Sequence, residues 1–184
     1  MLIFFGVLLL IGFYLIAMYN RLVALRQTGN QAWSDIDVQL KQRYDLIPNL
    51  VETVKGYAKH EKDTLEAVIN ARNAAMNAGT VADQAAAENM LTGALKSLFA
   101  LSEAYPDLKA NTNFLQLQAE ISDIENKIAA ARRFYNNAVA EYNTAQEQFP
   151  AVLMAKQFGF EKRDFFEVAT SERSAVNAPP SVKF

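Results

Sequence analysis

The chain has 184 residues, with 18 Lys plus Arg against 20 Asp plus Glu and a net charge of −2, so it carries no basic footprint for nucleic acid. Zero cysteines exclude disulfides, thiolate metal sites, cysteine nucleophiles and a lipoprotein-type anchor together. Only 7 Gly and 5 Pro interrupt long Ala-, Leu-, Glu-, Lys- and Gln-rich stretches, a composition that points to an all-α protein.

Residues Met1 to Tyr19 contain no charge and no proline, and the first charged side chain is Arg21. About 20 such residues span roughly 30 Å as a helix, the hydrocarbon thickness of a bilayer. A secretory signal would need a basic start and a small-residue cleavage site; the chain opens on Met1-Leu2-Ile3-Phe4 and closes the run with Tyr14, Met18 and Tyr19. The run is therefore expected to remain as a single transmembrane anchor, with Tyr14 and Tyr19 at headgroup level. Arg21, Arg26, Lys41 and Arg43 follow it on one side only, so the positive-inside rule places the N-terminus outside and the bulk domain in the cytoplasm. The expected organisation is an anchor and juxtamembrane helix over 1–27, an antiparallel up-and-down helical bundle over 28–160, and a C-terminal segment with an extended tail over 161–184.

Trp33, Ile36, Leu40, Tyr44, Ile47, Val51, Val54 and Ala58 keep helical spacing across Pro48, which predicts a kinked helix more readily than two separate ones. Gly29-Asn30 is the weak spot between this series and the apolar run. Leu65, Val68, Ile69, Arg72 and Met76 carry the same helix on to Asn77, with Gly79 at its end. Thr80 and Asp83 then form an N-cap pair, and Leu91, Leu95, Leu98 and Ser102 give the next helix its inner stripe before Tyr105-Pro106-Asp107 stops it. The strongest pattern is a coiled-coil-like heptad seam through Phe114, Leu117, Ile121, Ile124, Ile128, Ala131, Tyr135, Ala138, Tyr142 and Ala145. A helix over 111–148 would be roughly 57 Å long and should lie against antiparallel neighbours in an elongated bundle. Phe149-Pro150 closes it, a short helix follows over 151–157, and the tail over 171–184 has no periodicity.

No catalytic constellation emerges. His60 is the only histidine; His60-Glu61 fails the zincin pattern because position 64 is Thr, and a bundle di-iron site fails because position 57 is Tyr. Asp35 and Asp37 diverge on a helix, and no glycine-rich phosphate loop occurs. No enzyme activity, cofactor or metal is expected. Polar residues next to the seams are more informative: Arg43, Asp45, Asn49, His60 and Glu61 gather around Pro48, while Glu125, Asn126, Arg132 and Asn136 recur on the long helix. They read as interhelical ion pairs and hydrogen bonds that fix register, or alternatively as a polar recognition site, which would require unfilled volume beside Arg43 and its partner. Phe158, Phe160, Phe165 and Phe166, interleaved with Lys156, Lys162 and Arg163 and joined by the terminal Phe184, read as a return segment that seals the bundle, or as a self-association or surface anchor.

Laid out in order, the segments resemble the LemA family. The resemblance rests on Tyr19-Asn20-Arg21-Leu22-Val23, on the stretches 32–40 and 43–51 with Asp45-Leu46-Ile47-Pro48-Asn49-Leu50-Val51, and on Gly56-Tyr57-Ala58 with His60-Glu61. It continues through Ala71-Arg72, Tyr105-Pro106, Asn113-Phe114, Leu117-Gln118, Glu125-Asn126, Arg132, Tyr135-Asn136, Tyr142-Asn143 and Phe149-Pro150. The resemblance implies an N-terminal membrane helix, a helical bundle and no established catalysis, in a bacterial inner membrane, and it suggests a membrane zinc metallopeptidase as one kind of partner. Some relatives carry a lipoprotein cysteine that this chain lacks; with it would go a periplasmic bulk domain, the alternative placement. The expected function is that of a membrane-tethered structural or adaptor protein, a homo-oligomer or the scaffold for a membrane protein. The alternative is a ligand- or peptide-sensing module near Pro48 and His60.

Overall fold

A computed structural model describes residues 1–166, and these form six helices and no strand. They are α1 (Leu2–Tyr57), α2 (Lys62–Met76), α3 (Val81–Ser102), α4 (Pro106–Lys109), α5 (Thr112–Glu147) and α6 (Ala151–Ala155). Both long helices contribute to two compact units, one built from Met1–Asp37 and Ala129–Phe165, the other from Val38–Ile128 with Phe166.

In the first unit, α1 starts as a bare apolar helix: in the stretch long and apolar enough to cross a membrane no residue is buried against protein. Burial begins at Leu22, which packs with Tyr142, Ala145, Ala151, Ala155 and Phe160. Trp33 meets Tyr135 edge to face with ring centroids 5.3 Å apart, so the numbering falls along α1 as it rises along α5 and the two stretches are antiparallel. Beyond α6 the chain returns over α5 without helix. At Arg163 and Asp164 its backbone polar groups are instead paired with side chains of α5. Asn143 Oδ1 accepts from the Arg163 N–H at 3.0 Å, Asn143 Nδ2 donates to the Arg163 carbonyl at 2.9 Å, and the Tyr135 hydroxyl donates to the Asp164 carbonyl at 3.0 Å. The Arg163 guanidinium then lies across α1, donating to the Arg26 carbonyl at 3.1 Å and to Asn30 Oδ1 at 2.7 Å. Gly29 makes room for it, because a Cβ there would stand 2.9 Å from Arg163 Nη1. The weak spot in the helical pattern is thus a landing site, and α1 runs through it unbroken.

The second unit is a bundle of the C-terminal part of α1, α2, α3, α4 and the N-terminal part of α5. One continuous helix passes through Pro48, whose missing N–H the exposed face tolerates. Ile47, Leu50 and Val54 are fully buried, and each such aliphatic side chain contributes about 1.5–3 kcal/mol. The expectation that this helix continues to Asn77 is corrected: α1 ends at Tyr57, a turn closes through the Glu61 N–H to the Ala58 carbonyl at 3.1 Å, and α2 starts afresh at Lys62. Gly56 lowers helix propensity there, and the Tyr105 hydroxyl holds Glu61 at 2.9 Å. The hydrophobic spacing hid the break because Ala58, Leu65 and Val68 are buried on both sides of it.

Thr80 caps α3, its Oγ1 accepting from the Asp83 N–H at 3.1 Å, and Leu91, Leu95, Leu98 and Ser102 are all buried. Asn111 Oδ1 accepts from the Phe114 N–H at 2.9 Å and so caps α5, a helix of 36 residues, roughly 54 Å. Asn111 Nδ2 reaches the Tyr57 hydroxyl at 2.9 Å, while Arg43 meets Glu125 further along, so α1 and α5 are antiparallel here too. Of the predicted α5 seam, every member is buried except Leu117 and Ala131, which are half-buried.

Candidate functional site

Three helices of the second unit bring their charged seam residues to one place. Arg43 of α1 is fully buried and forks between two carboxylates, its Nη2 pairing with Glu88 of α3 and its Nη1 with Glu125 of α5. Nη1 also donates to Thr92 Oγ1 at 3.3 Å. Glu88 is itself fully buried and receives two further donors, the Tyr44 hydroxyl and Gln84 Nε2, the latter at 2.8 Å. Tyr44 extends the network to α2 through its carbonyl, which accepts from Arg72 Nε at 2.8 Å. A buried ion pair is costly to desolvate and survives where the geometry satisfies its remaining lone pairs and protons. Here it ties α1, α3 and α5 into one register.

Beside this network lies a groove of about 580 Å³ between α3 and α5. Thr92 and Glu125, both partners of Arg43, form part of its wall, with Lys96, Gln118, Ser122 and Asn126 as the other polar lining and Leu95, Phe99, Leu115 and Ile121 as its apolar lining. Unfilled volume therefore does adjoin the partners of the buried arginine. The groove can take an apolar side chain while offering one anion and one cation.

The sequence-selected polar residues divide. Arg43 and Glu125 come together, and Asn126 lines the groove next to them. Asp45 points its pairing outward to Lys41 at 3.5 Å, and Asn49 and His60 are exposed. Glu61 is half-buried and serves Tyr105, whose phenol is raised above its ordinary value chiefly by that hydrogen bond to a carboxylate. Arg132 and Asn136 are half-buried on α5 in the first unit. Sequence reasoning passed over Glu88, although an acid three residues from both Ala85 and Leu91 stands on the buried stripe of α3. An acid on a seam was the available signal. Among the described residues, no three His, Asp or Glu side chains are placed to hold a metal ion.

The phenylalanine set also divides. Phe160 and Phe166 are buried, so as anchors for another molecule they are corrected: Phe160 closes the core of the first unit, with Tyr19 edge-on at 5.6 Å and the Arg26 guanidinium 5.1 Å from its centroid. A ring on an apolar return segment finds more burial in its own core than at the surface. Phe158 and Phe165 are exposed, and Phe184 lies outside the described residues.

The fold defines a class: an all-α protein in which a bare apolar helix, long enough to cross a membrane, feeds into helices packed around a buried ion cluster. The LemA family model matches residues 32–184, and the chain belongs to the LemA family. Protein LemA of Metamycoplasma hominis is 27% identical over 92% of this chain and 80% of its own length. Magnetosome protein MamQ of Magnetospirillum gryphiswaldense is 24% identical over 95% of this chain and 73% of its own. Magnetosome protein MamQ 2 of Paramagnetospirillum magneticum is 22% identical over 90% and 69%.

Proposed function

We propose that this LemA-family chain is a single-span inner-membrane protein that works by presenting helical surfaces, as a structural element or adaptor, to copies of itself or to another membrane protein. The observation that carries this reading is the continuity of α1: an unburied apolar stretch passes without a linker into the helix that packs against α5 from Leu22 onward. Such a joint holds every copy in the same attitude to the bilayer, and confinement to two dimensions raises the effective concentration for association. Arg21 and Arg26 follow the span closely on its C-terminal side, which supports an outside N-terminus and a cytoplasmic bulk domain. A membrane zinc metallopeptidase is one partner of this kind.

The experiment is crosslinking in intact membranes followed by copurification, together with the mass of the detergent-solubilised chain with and without residues 171–184. A monomer in both forms, with no crosslinked membrane protein, would overturn the reading. A reporter active only in the cytoplasm, fused after Phe184, should be active; activity of a periplasmic reporter alone would reverse the orientation and leave the anchor intact.

A second reading, recognition of a peptide or small ligand, is favoured by the α3–α5 groove. It moves the site from the surroundings of Pro48 and His60 to the wall formed by Thr92 and Glu125. Loss of ligand on Glu125→Ala, with the fold retained, would distinguish it from the adaptor reading.

A further inference from the structure

The corner between α5 and α6 exposes large apolar side chains where the apolar stretch of α1 ends. Phe149 is 80%, Leu153 66% and Phe158 54% exposed, although they sit within one short turn-and-helix segment that also contains the buried Ala151 and Ala155. Large apolar side chains left exposed together in one short segment mark a binding surface or a membrane contact. Its position identifies the occupant. A cleft of about 220 Å³ is walled on one side by Tyr14, Ala17, Met18 and Arg21 of α1 and on the other by Gln148, Phe149 and Pro150, so Phe149 stands level with the last turns of the apolar stretch. The Phe158 ring packs on Tyr19 at 5.3 Å, within that same last turn. Ala17 lies four residues before Arg21, roughly 6 Å along the helix axis. If Arg21 marks the headgroups, the corner reaches the depth of about 5–10 Å at which interfacial apolar side chains settle. The exposed Arg21 and Lys156 add cations on either side, complementary to lipid phosphate.

We propose that the α5–α6 corner is a second membrane contact, a wedge whose Phe149 and Leu153 insert into the headgroup–acyl boundary of the bilayer that α1 spans. The proposal rests on the single-span reading above. It gives the protein two points of attachment, one spanning and one interfacial, and so fixes the rotation of the first unit about the axis of α1. Phe160 stays in the protein core and Phe158 bridges the core to the lipid.

The absence of cysteine in the chain makes the test direct. Single-cysteine variants Phe149→Cys, Leu153→Cys, Leu9→Cys and Phe134→Cys of the full chain are labelled with a nitrobenzoxadiazole fluorophore and reconstituted into phosphatidylethanolamine–phosphatidylglycerol vesicles. Phe134, 52% exposed on α5 of the same unit, is the control away from the corner. Label at 149 and at 153 should emit at shorter wavelength than label at 134 and lose most of its emission to nitroxide lipids spin-labelled near the headgroup. Two sites guard against a variant that fails to fold. Quenching at position 9 by lipids spin-labelled deep in the acyl chain, with none at 149 or 153 by the headgroup-labelled lipids, would sink the wedge and leave the span standing, whereas no quenching at position 9 by the deep label would overturn the span itself and the wedge with it.

Discussion

Replacing Arg43 by methionine retains much of the side chain's length and removes its charge. The Arg43 and Glu88 side chains are both 0% exposed, so Arg43→Met leaves a carboxylate buried with only the Tyr44 hydroxyl and the Gln84 amide as donors. Breaking a buried pair from one side costs about 3–5 kcal/mol, because the remaining charge has no counterion. Glu125, whose side chain is 28% exposed, can turn to water and adds little. For a chain of this length each kcal/mol moves the melting temperature by about 2–4 °C, so Arg43→Met should lower Tm by roughly 6–20 °C. Circular dichroism of the full chain in detergent micelles reads that shift. Lys41→Met is the control, since the Lys41–Asp45 pair is solvent-exposed and should be worth about 0–1 kcal/mol. Adding Glu88→Gln to Arg43→Met removes the stranded charge and should restore most of the loss. Equal shifts for Arg43→Met and Lys41→Met, or no recovery in the double variant, would refute the claim that this ion cluster holds α1 and α3 together.

Ile124→Ala should destabilise the bundle by about 2–5 kcal/mol through lost burial and a residual cavity, and Gln118→Ala far less; similar melting of the two would reject the α5 seam. Gly29→Ala gains about 0.5–1 kcal/mol of helix propensity but pushes the Arg163 guanidinium off α1, so it should be near neutral in the native chain and stabilising when combined with Arg163→Ala. The same melting shift in both backgrounds would remove Gly29 from that contact. Because its hydrogen bond to Glu61 raises the Tyr105 phenol, that interaction stabilises the fold fully below about pH 10, the ordinary phenol value, and is lost as pH rises through the higher folded value. Tyr105→Phe should therefore flatten the alkaline fall in stability, read as melting temperature against pH; an unchanged alkaline limb would remove Tyr105 from it.

Periodicity and capping chemistry are local, and whatever depends on them could be read from the chain: the bare apolar helix, the α5 seam, the Thr80 cap and the stop at Pro106 all follow from residue spacing and type. Other properties were invisible for physical reasons. Hydrophobic spacing reports which face is buried but not whether the backbone remains helical, so the turn at 58–61 passed unseen between Ala58 and Leu65. Pairing across helices depends on rotation and axial offset, which only packing sets; Arg43 could be singled out, but its choice of Glu88 and Glu125 over the nearer Asp45 required α3 and α5 to be in place. Gly29 read only as a weak spot in the helical pattern and became the seat of Arg163, from a segment 134 residues later, because the cost of a helical glycine is small beside the close approach it allows. Likewise the four phenylalanines of one short stretch were indistinguishable until the return of the chain over α5 buried Phe160 and Phe166 and left Phe158 and Phe165 in the open. Sequence thus determined which residues seek burial, and the tertiary structure decided which of them obtain it, since core volume is shared among all the segments that compete for it.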